Sequence, residues 1–437
     1  MTVAIIGAGF GGLAAAYELV RAGVKVIIFE ASANPGGLAG GFFDHNWQWS
    51  VDYHYHHIFK NDQAIKLWLK ELDLIDDLFF QDTNTYSLTK STPTRIAKLD
   101  SALSLLSYPD LSLVSKLRTG AVLAGLKALP KGEKLEKYTA QQFLRAAMGR
   151  QSWENLWEPL FSGKFDKDAG KVNAAWFWAR IYARSKKLGY FKKGFLGLAQ
   201  QITAQLEELG VEFKFLAEVK SIKLARKKAA TDHNKLLISL GREKYLFDSA
   251  IFTGSSQQLL QVAQDNFPAS YVSELQDLES LAAMTLILVL NKPFFDQDIY
   301  WLNINRSNWP FLAVVEHTNF INKAHYSNQH LVYVGKYLSA KDNFYQKSKK
   351  EILAAYQPYL NKLSPNFKQH LLNSYLIKNE GAQPLVKKNH SLVLPKVKTP
   401  LANLYWSSMQ HVYPSDRGVN YAVQLGRDTA QSILIEK

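Results

Sequence analysis

The amino-acid sequence predicts an α/β protein of two domains, in which a doubly wound parallel sheet is interrupted by an inserted mixed sheet with helices. Three observations support this fold class. An apolar strand, a glycine-rich turn and a helix open the chain, which is the order of a parallel βαβ unit. Strand patterns of the same kind return in the middle and near the end, so one domain is built from separated segments. The length of 437 residues suits two or three domains.

The composition is that of a globular protein, with 47% hydrophobic and 21% charged residues. The sequence has no cysteine, which excludes disulfides, thiolate catalysis, iron–sulfur clusters and cysteine-based zinc sites. Its formal net charge of +14 suits an anionic membrane or an anionic substrate, or serves solubility alone. The sequence lacks the pattern of a nucleic-acid-binding module, so we predict no nucleic-acid partner.

The start of the chain carries the elements of a nucleotide-binding unit. An apolar strand (VAII) runs into a glycine turn (GAGFGG), which is followed by a helix and by a second strand (VKVIIF) ending at Glu30. Gly7 permits the tight turn, Gly9 lets a pyrophosphate approach the backbone, and Gly12 lets the helix pack closely on the sheet. The Glu30 carboxylate can accept hydrogen bonds from both ribose hydroxyls and would repel the 2′-phosphate of NADP. The sequence therefore predicts a Rossmann-like dinucleotide site.

A second glycine cluster, NPGGLAGG at 34–41, follows the ribose-binding acid. It resembles the GG motif of the flavoprotein superfamily that contains amine oxidases, protoporphyrinogen oxidases and phytoene-type desaturases. The resemblance implies an FAD-binding domain of the glutathione-reductase type with an inserted substrate domain. The two glycine clusters, together with a helix that closes the site near the C-terminus, favour FAD over NAD.

Three later stretches extend the resemblance. Residues 189–213 resemble the return of the chain to the FAD domain, after which a strand ending at Val219 sets its backbone against the adenine. Residues 248–254 resemble the strand that leads out to the substrate domain. Residues 403–423 resemble the closing strand and helix, whose N-terminus at Gly418 faces the flavin edge that becomes anionic on reduction.

The resemblance implies a set of cofactor-binding residues drawn from all these stretches. They are Gly7, Gly9, Phe10, Gly11, Gly12, Glu30, Ala31, Gly36, Gly37, Leu38, Val219, Thr253, Gly418, Asn420 and Tyr421.

The sequence departs from the family's usual residues at three places. Leu38 stands where an arginine usually follows the two glycines, and Met409 stands where the family has the aspartate of a glycine-aspartate pair. Thr285 stands where amine oxidases carry a lysine that reaches flavin N5 through water. The threonine argues against amine oxidation with oxygen and is compatible with a desaturase-like or oxygen-independent reaction.

The FAD-binding domain is predicted to comprise residues 1–90, 190–260 and 395–437, and the substrate-binding domain residues 91–189 and 261–394. The first substrate segment contains basic amphipathic helices. They suit contact with a membrane, as in phytoene-type relatives, or they roof the active site. The sequence shows no signal-peptide pattern and no long apolar stretch, so we predict a cytoplasmic location, with peripheral membrane contact as the open alternative. The oligomeric state is not indicated.

Histidines stand out in the motif VDYHYHHIF and before the final helix. His56, His57 and His411 are the candidate catalytic residues, as hydrogen-bonding groups that line a flavin pocket; the alternative is an ordinary structural role. We predict no metal site, because adjacent histidines on a strand point in opposite directions and do not share one ion.

The favoured function is an FAD-dependent oxidoreductase that transfers a hydride from a C–H bond to flavin N5, as desaturases and oxidases do. Its substrate is expected to be a small molecule, apolar or lipid-like, or else anionic. One alternative is a non-redox flavoenzyme similar to UDP-galactopyranose mutase, acting on a sugar nucleotide. Another is a non-catalytic protein similar to GDP-dissociation inhibitors, against which the intact set of Gly7, Gly9, Gly12 and Glu30 argues.

Overall fold

The structure, a computed structural model, describes residues 1–90, 95–225 and 235–436. The parts of the predicted domain segments at 91–94, 226–234 and 437 lie outside the described residues. The strands are β1 (Thr2–Ile6), β2 (Lys25–Phe29), β3 (Gly41–Phe42), β4 (Val51–Asp52), β5 (Ile58–Phe59), β6 (Leu78–Asp82), β7 (Thr85–Leu88), β8 (Ile96–Lys98), β9 (Lys187–Phe191), β10 (Glu212–Lys214), β11 (Ser221–Leu224), β12 (Leu236–Ser239), β13 (Lys244–Phe247), β14 (Ser249–Phe252), β15 (Ser280–Leu290), β16 (Trp301–Ile304), β17 (Ala313–Glu316), β18 (His330–Leu338), β19 (Leu371–Pro384) and β20 (Leu404–Trp406).

The helices surround these strands. They are α1 (Phe10–Arg21), α2 (Gln63–Glu71), α3 (Ala102–Leu106), α4 (Leu113–Ala128), α5 (Ala140–Met148), α6 (Arg150–Ser152), α7 (Glu158–Phe165), α8 (Ala174–Ala183), α9 (Gly194–Glu208), α10 (Ser256–Ala263), α11 (Ala269–Gln276), α12 (Asn343–Gln346), α13 (Lys349–Leu363) and α14 (Val419–Ile435).

A five-stranded sheet with the order β10-β2-β1-β14-β20 forms the nucleotide-binding half, and every pairing in it is parallel. β1 lies at its centre because Val3, Ala4 and Ile5 are apolar and fully buried, as a strand covered on both faces requires. Helices α1, α9 and α14 bury apolar side chains in the same core. This arrangement brings the carboxyl ends of the parallel strands to one edge, where α/β folds bind ligands.

The inserted half is a seven-stranded mixed sheet with the order β19-β15-β18-β17-β16-β7-β8. β15 reads SLAAMTLILVL and is buried along nearly its whole length between β18 and β19. Helices α12 and α13 contribute buried side chains to one core against this sheet, and α5, α7 and α8 contribute to another. The prediction of an α/β fold with an inserted mixed sheet and helices is confirmed.

Two details differ from the sequence prediction. β7 lies within the predicted FAD segment 1–90, yet it pairs with β16 of the seven-stranded sheet, so the chain leaves the nucleotide-binding half before residue 90. The predicted strand ending at Val219 is wrong: β10 ends at Lys214, and Val219 lies in an irregular segment before β11. Local pattern alone does not show which sheet a short strand joins, and the domain boundaries stay a prediction.

Candidate functional site

A cavity of about 1220 Å³ is lined by both halves of the molecule. Most of the residues expected to bind the cofactor line it, although their contacts with FAD stay a prediction. The lining residues from that set are Gly7, Gly9, Phe10, Gly11, Gly12, Glu30, Ala31, Gly36, Gly37, Leu38, Val219, Thr253, Gly418 and Tyr421.

The first glycine turn has the geometry that a pyrophosphate needs. Gly7 has φ +111°, a conformation that other residues rarely adopt, and a Cβ there would lie 2.2 Å from the hydroxyl of Thr253. A Cβ on Gly12 would lie 2.1 Å from the carbonyl oxygen of Gly7. At Gly9, by contrast, the nearest described atom is Cα of Gly37, 3.8 Å away. A side chain at Gly9 would therefore fill the cavity and not the protein interior.

The second glycine cluster folds back onto the first. The N–H of Gly36 donates to the carbonyl of Ala8 at 2.9 Å, and Gly36 forms a parallel bridge with Gly9. Gly36 and Gly37 both have positive φ, at 112° and 58°, so the tight return over the turn depends on glycine at these positions. The two glycine clusters thus form opposite sides of one cradle.

Glu30 lies at the end of β2, where the sequence predicts the ribose-binding acid. Its carboxylate accepts hydrogen bonds from the N–H of Ala8 at 2.7 Å and from the N–H and hydroxyl of Ser32 at 2.8 and 2.7 Å. These bonds fix its orientation: Oε1 accepts two of them and Oε2 accepts one, so Oε2 keeps a lone pair for a ribose hydroxyl. Glycine cradle, helix start and oriented carboxylate together fit the phosphate and ribose groups of a dinucleotide.

Two helices begin at the cavity without a capping side chain among the described residues. α1 begins after Gly9 and α14 begins after Gly418, and neither cap residue makes a side-chain hydrogen bond. The free N–H groups of such helix starts favour negative charge. That α1 faces phosphates and that α14 faces the flavin stays a prediction.

The histidines of the VDYHYHHIF motif line the cavity as neutral rings. Nδ1 of His54 lies 2.7 Å from the hydroxyl of Thr285, and its Nε2 lies 3.0 Å from the side-chain oxygen of Asn379. Nδ1 of His56 lies 2.8 Å from the carbonyl oxygen of His54. Burial lowers the pKa of His54 and His57 to about 4 and that of His56 to about 3, so the uncharged rings prevail at neutral pH. Within the described residues, Nδ1 of His57 has no hydrogen-bond partner.

Two predicted site residues lie elsewhere. His411 does not line the cavity: its Nε2 contacts the carbonyl oxygen of Pro395 at 3.1 Å, and its ring packs against Trp406. Asn420 is buried in α14 and accepts a hydrogen bond from the N–H of Ile65 at 3.2 Å, near the start of α2. Because both polar groups have partners inside the protein, the structure gives them structural positions.

A group of charged residues that no sequence pattern indicated as a site lines the same cavity. Nζ of Lys164, in α7, lies 2.9 Å from a carboxylate oxygen of Asp416, and Nη1 of Arg180, in α8, contacts the same oxygen. Trp176 donates its indole N–H to the second oxygen of Asp416 at 3.2 Å. Arg417 follows Asp416 directly. We call Lys164, Arg180, Asp416 and Arg417 the Asp416 cluster.

The fold and the cavity define a two-domain dinucleotide-binding protein whose second half completes the site. The profile of the flavin-containing amine oxidoreductase family matches residues 10–434. The chain therefore belongs to this family, and the predicted resemblance and FAD as the cofactor are confirmed. At the level of the family, the prediction of an FAD-dependent oxidoreductase is confirmed too.

Individual relatives are more distant. The chain is similar to an L-amino-acid oxidase of Daboia russelii, with 31% identity over 108 residues, which are 24% of this chain and 21% of the relative. It is similar to coproporphyrinogen III oxidase of Staphylococcus aureus, with 26% identity over 201 residues, 44% and 42% of the two chains. The chain thus matches about a fifth of the length of the first relative and less than half of the second. A putrescine oxidase structure, solved with putrescine bound, aligns over 100% of this chain and 99% of its own at a TM-score of 0.75 and 15% identity, which shows the fold alone.

Proposed function

We propose that the protein removes a hydride from a C–H bond of a largely apolar small molecule while a proton leaves the neighbouring carbon or nitrogen for solvent, introducing a C=C or C=N bond. The observation that carries this proposal is the continuity of the cavity: the glycine cradle and the aromatic side chains of Trp157, Phe161 and Phe177 line the same space. FAD, when bound, accepts the hydride at N5. A substrate against the aromatic wall is therefore enclosed in the same space as the cofactor.

The residues of the chain supply orientation and exclusion of water in this proposal. The ring of Phe161 lies 5.7 Å from that of Trp176 and 6.0 Å from that of Phe177, which gives a substrate a contiguous apolar surface. His57 also lines the cavity, but its Nδ1 is inaccessible, so the ring contributes to the shape of the wall. His54 is held by Thr285 and so shapes the wall without carrying charge.

Anaerobic flavin reduction tests the proposed reaction. The FAD-loaded protein is mixed with lipids, porphyrinogens, amines and sugar nucleotides in turn, and the flavin absorbance is followed. We expect one class with an apolar body to bleach the flavin. If no class of compound bleaches the flavin and the protein binds a sugar nucleotide only when its flavin is reduced, the proposal is contradicted and the mutase-like alternative is supported. A colourless protein that refuses added FAD supports the GDP-dissociation-inhibitor-like alternative.

We also propose peripheral contact with an anionic membrane through α3 and α4. No helix of the described ranges is long and apolar enough to cross a bilayer. Yet Leu103 in α3 is 78% exposed, and Val114 and Leu117 in α4 are 74% and 57% exposed. Along α4 the exposed apolar positions continue at Ala121 and Ala124, so they form a stripe at helical spacing. Exposed leucines beside the basic residues of α4 suit an amphipathic helix that lies in an anionic interface.

The double variant Val114→Glu/Leu117→Glu is expected to lose membrane binding. Both side chains are already exposed, so the fold should tolerate the change, whereas two carboxylates in the interface oppose insertion next to anionic lipids. Flotation with phosphatidylglycerol vesicles should show at least about a tenfold drop in the bound fraction relative to wild type. Leu224→Glu, on exposed β11, is the matched control and should bind as wild type. Equal flotation of all three proteins contradicts the proposal.

A further inference from the structure

The Asp416 cluster contains more positive than negative charge. Lys164 and Arg180 both pair with Asp416, so one carboxylate serves two cations. Arg417 donates to the hydroxyl of Tyr337 at 2.5 Å and to the side-chain oxygen of Gln383, both of which are neutral. Among the described residues, Arg417 forms no ion pair with a carboxylate. The cluster therefore presents three cations and one anion to the cavity.

The electrostatics of this surplus favour binding of an anion. Burial lowers the pKa of Lys164 to about 7, with Asp416 acting in the opposite direction and the two arginines adding to the lowering. Burial alone would raise the pKa of Asp416, but the three surrounding cations lower it below its usual value. Asp416 balances only one of the three positive charges, and an anion bound between the cations would offset part of their desolvation and favour the protonated form of Lys164.

Aromatic rings hold the cations in fixed positions. Lys164 Nζ lies 5.1 Å from the ring centre of Trp176, and the guanidinium of Arg180 lies 5.3 Å from the same ring. The guanidinium of Arg417 lies 5.0 Å from the ring centre of Tyr337. Cation–π contacts of this kind orient a charge without neutralising it. The apolar wall continues directly from Trp176 to Phe161, so an apolar surface adjoins the charged one.

We propose that Lys164, Arg180 and Arg417 form an oxyanion subsite that binds a carboxylate or phosphate group at one end of an otherwise apolar substrate. The inference rests on the proposed function, because it assumes that the substrate occupies this cavity. Arginine forks and a lysine ammonium are the donors that proteins use for such groups. Asp416 positions two of these cations and limits the net charge of the subsite to about +2, a formal count of its charged groups.

Calorimetry on the FAD-loaded protein tests the subsite without turnover. The probes are 4-phenylbutyrate, its neutral amide and phenylpropyl phosphate, which share an aromatic body and differ at one end. We expect at least one of the two anions to bind about tenfold or more tightly than the amide. The stronger anion then identifies carboxylate or phosphate as the preferred group. Equal affinity of the amide and both anions overturns the proposal.

Variants distinguish binding at the subsite from a general effect of the protein's positive charge. Lys164→Met and Arg417→Gln should each reduce the preference for the anion by about tenfold, whereas Arg417→Lys should retain most of it. Lys187→Met, which removes an exposed lysine paired with Asp82, is the matched control and should keep the full preference. Flavin absorbance and a melting curve show that each variant is folded and loaded, and the charge-retaining Arg417→Lys keeps the test decisive if Arg417→Gln does not fold. An unchanged preference in both Lys164→Met and Arg417→Gln overturns the proposal.

Failure of the subsite proposal can be distinguished from failure of the proposed function. If no compound bleaches the flavin but the anions are preferred and the variants lose that preference, the hydride-transfer proposal fails and the subsite stands. If a neutral apolar compound bleaches the flavin and the anions show no preference, the subsite fails and the hydride-transfer proposal stands.

Discussion

Gly9→Ala is expected to abolish stable FAD binding while leaving the protein folded. The added Cβ would meet only the Cα of Gly37, at 3.8 Å, so the protein itself has room for it. The same methyl group, however, enters the cavity between the two glycine clusters, where the family places the pyrophosphate. A misfit of this size costs about 3 kcal/mol, which corresponds to about a 100-fold loss of FAD affinity.

The measurement is a titration of the FAD-free protein with FAD, followed by flavin fluorescence, together with a melting curve of each FAD-free protein. Gly12→Ala is the informative comparison, because its Cβ would lie 2.1 Å from the carbonyl oxygen of Gly7 and must distort the turn. Gly9→Ala should melt like wild type in the absence of FAD, and Gly12→Ala should melt lower. Wild-type FAD affinity in Gly9→Ala would show that the cofactor does not pass this residue.

The nucleotide half was predictable because its signals are local. The glycine turn, α1, β2 and Glu30 all lie within thirty residues, and each requirement is met by one residue type at one spacing. Gly7 could be assigned to a tight turn because the positive φ found there leaves few other residues possible. At such positions the backbone conformation restricts the residue type to glycine, so the sequence alone indicates the conformation.

The substrate half was less predictable because its site is assembled over long distances. Lys164 lies in α7, Arg180 in α8 and Asp416 in the loop before α14, and only the folded chain brings these three side chains together. A lysine or arginine in a helix gives no local signal of a buried partner. The prediction that His411 lines the flavin pocket is not met for the converse reason. A histidine near a predicted site suggests a functional role, but its partners, the carbonyl of Pro395 and the ring of Trp406, are known only from the fold.

Gly426→Ala is expected to destabilise the protein by about 2 kcal/mol or more, although alanine is the better helix former. Gly426 lies in α14, and a Cβ there would lie 2.1 Å from the carbonyl oxygen of Gly11 in α1 and 3.1 Å from its Cα. The contact is also tight from the other side, though less so, since a Cβ on Gly11 would lie 3.2 Å from the carbonyl oxygen of Ala422. Because the obstructing atoms are backbone, relief requires that the two helices move apart.

Gly125→Ala is the control for this prediction, because the same substitution is expected to change stability in the opposite direction. Gly125 lies in α4 with no described atom within 4 Å of the added Cβ, so the same substitution there should stabilise by up to about 1 kcal/mol through helix propensity. In urea unfolding of the FAD-free proteins, the midpoints of the two variants should therefore shift in opposite directions from that of wild type.

Separation of α1 from α14 also displaces the two helix starts that open on the cavity, so Gly426→Ala should weaken FAD binding, whereas Gly125→Ala should not. Equal midpoints for the two variants would show that the close contact between these helices is not required, and the placement of both helix starts would then have to come from the sheet alone.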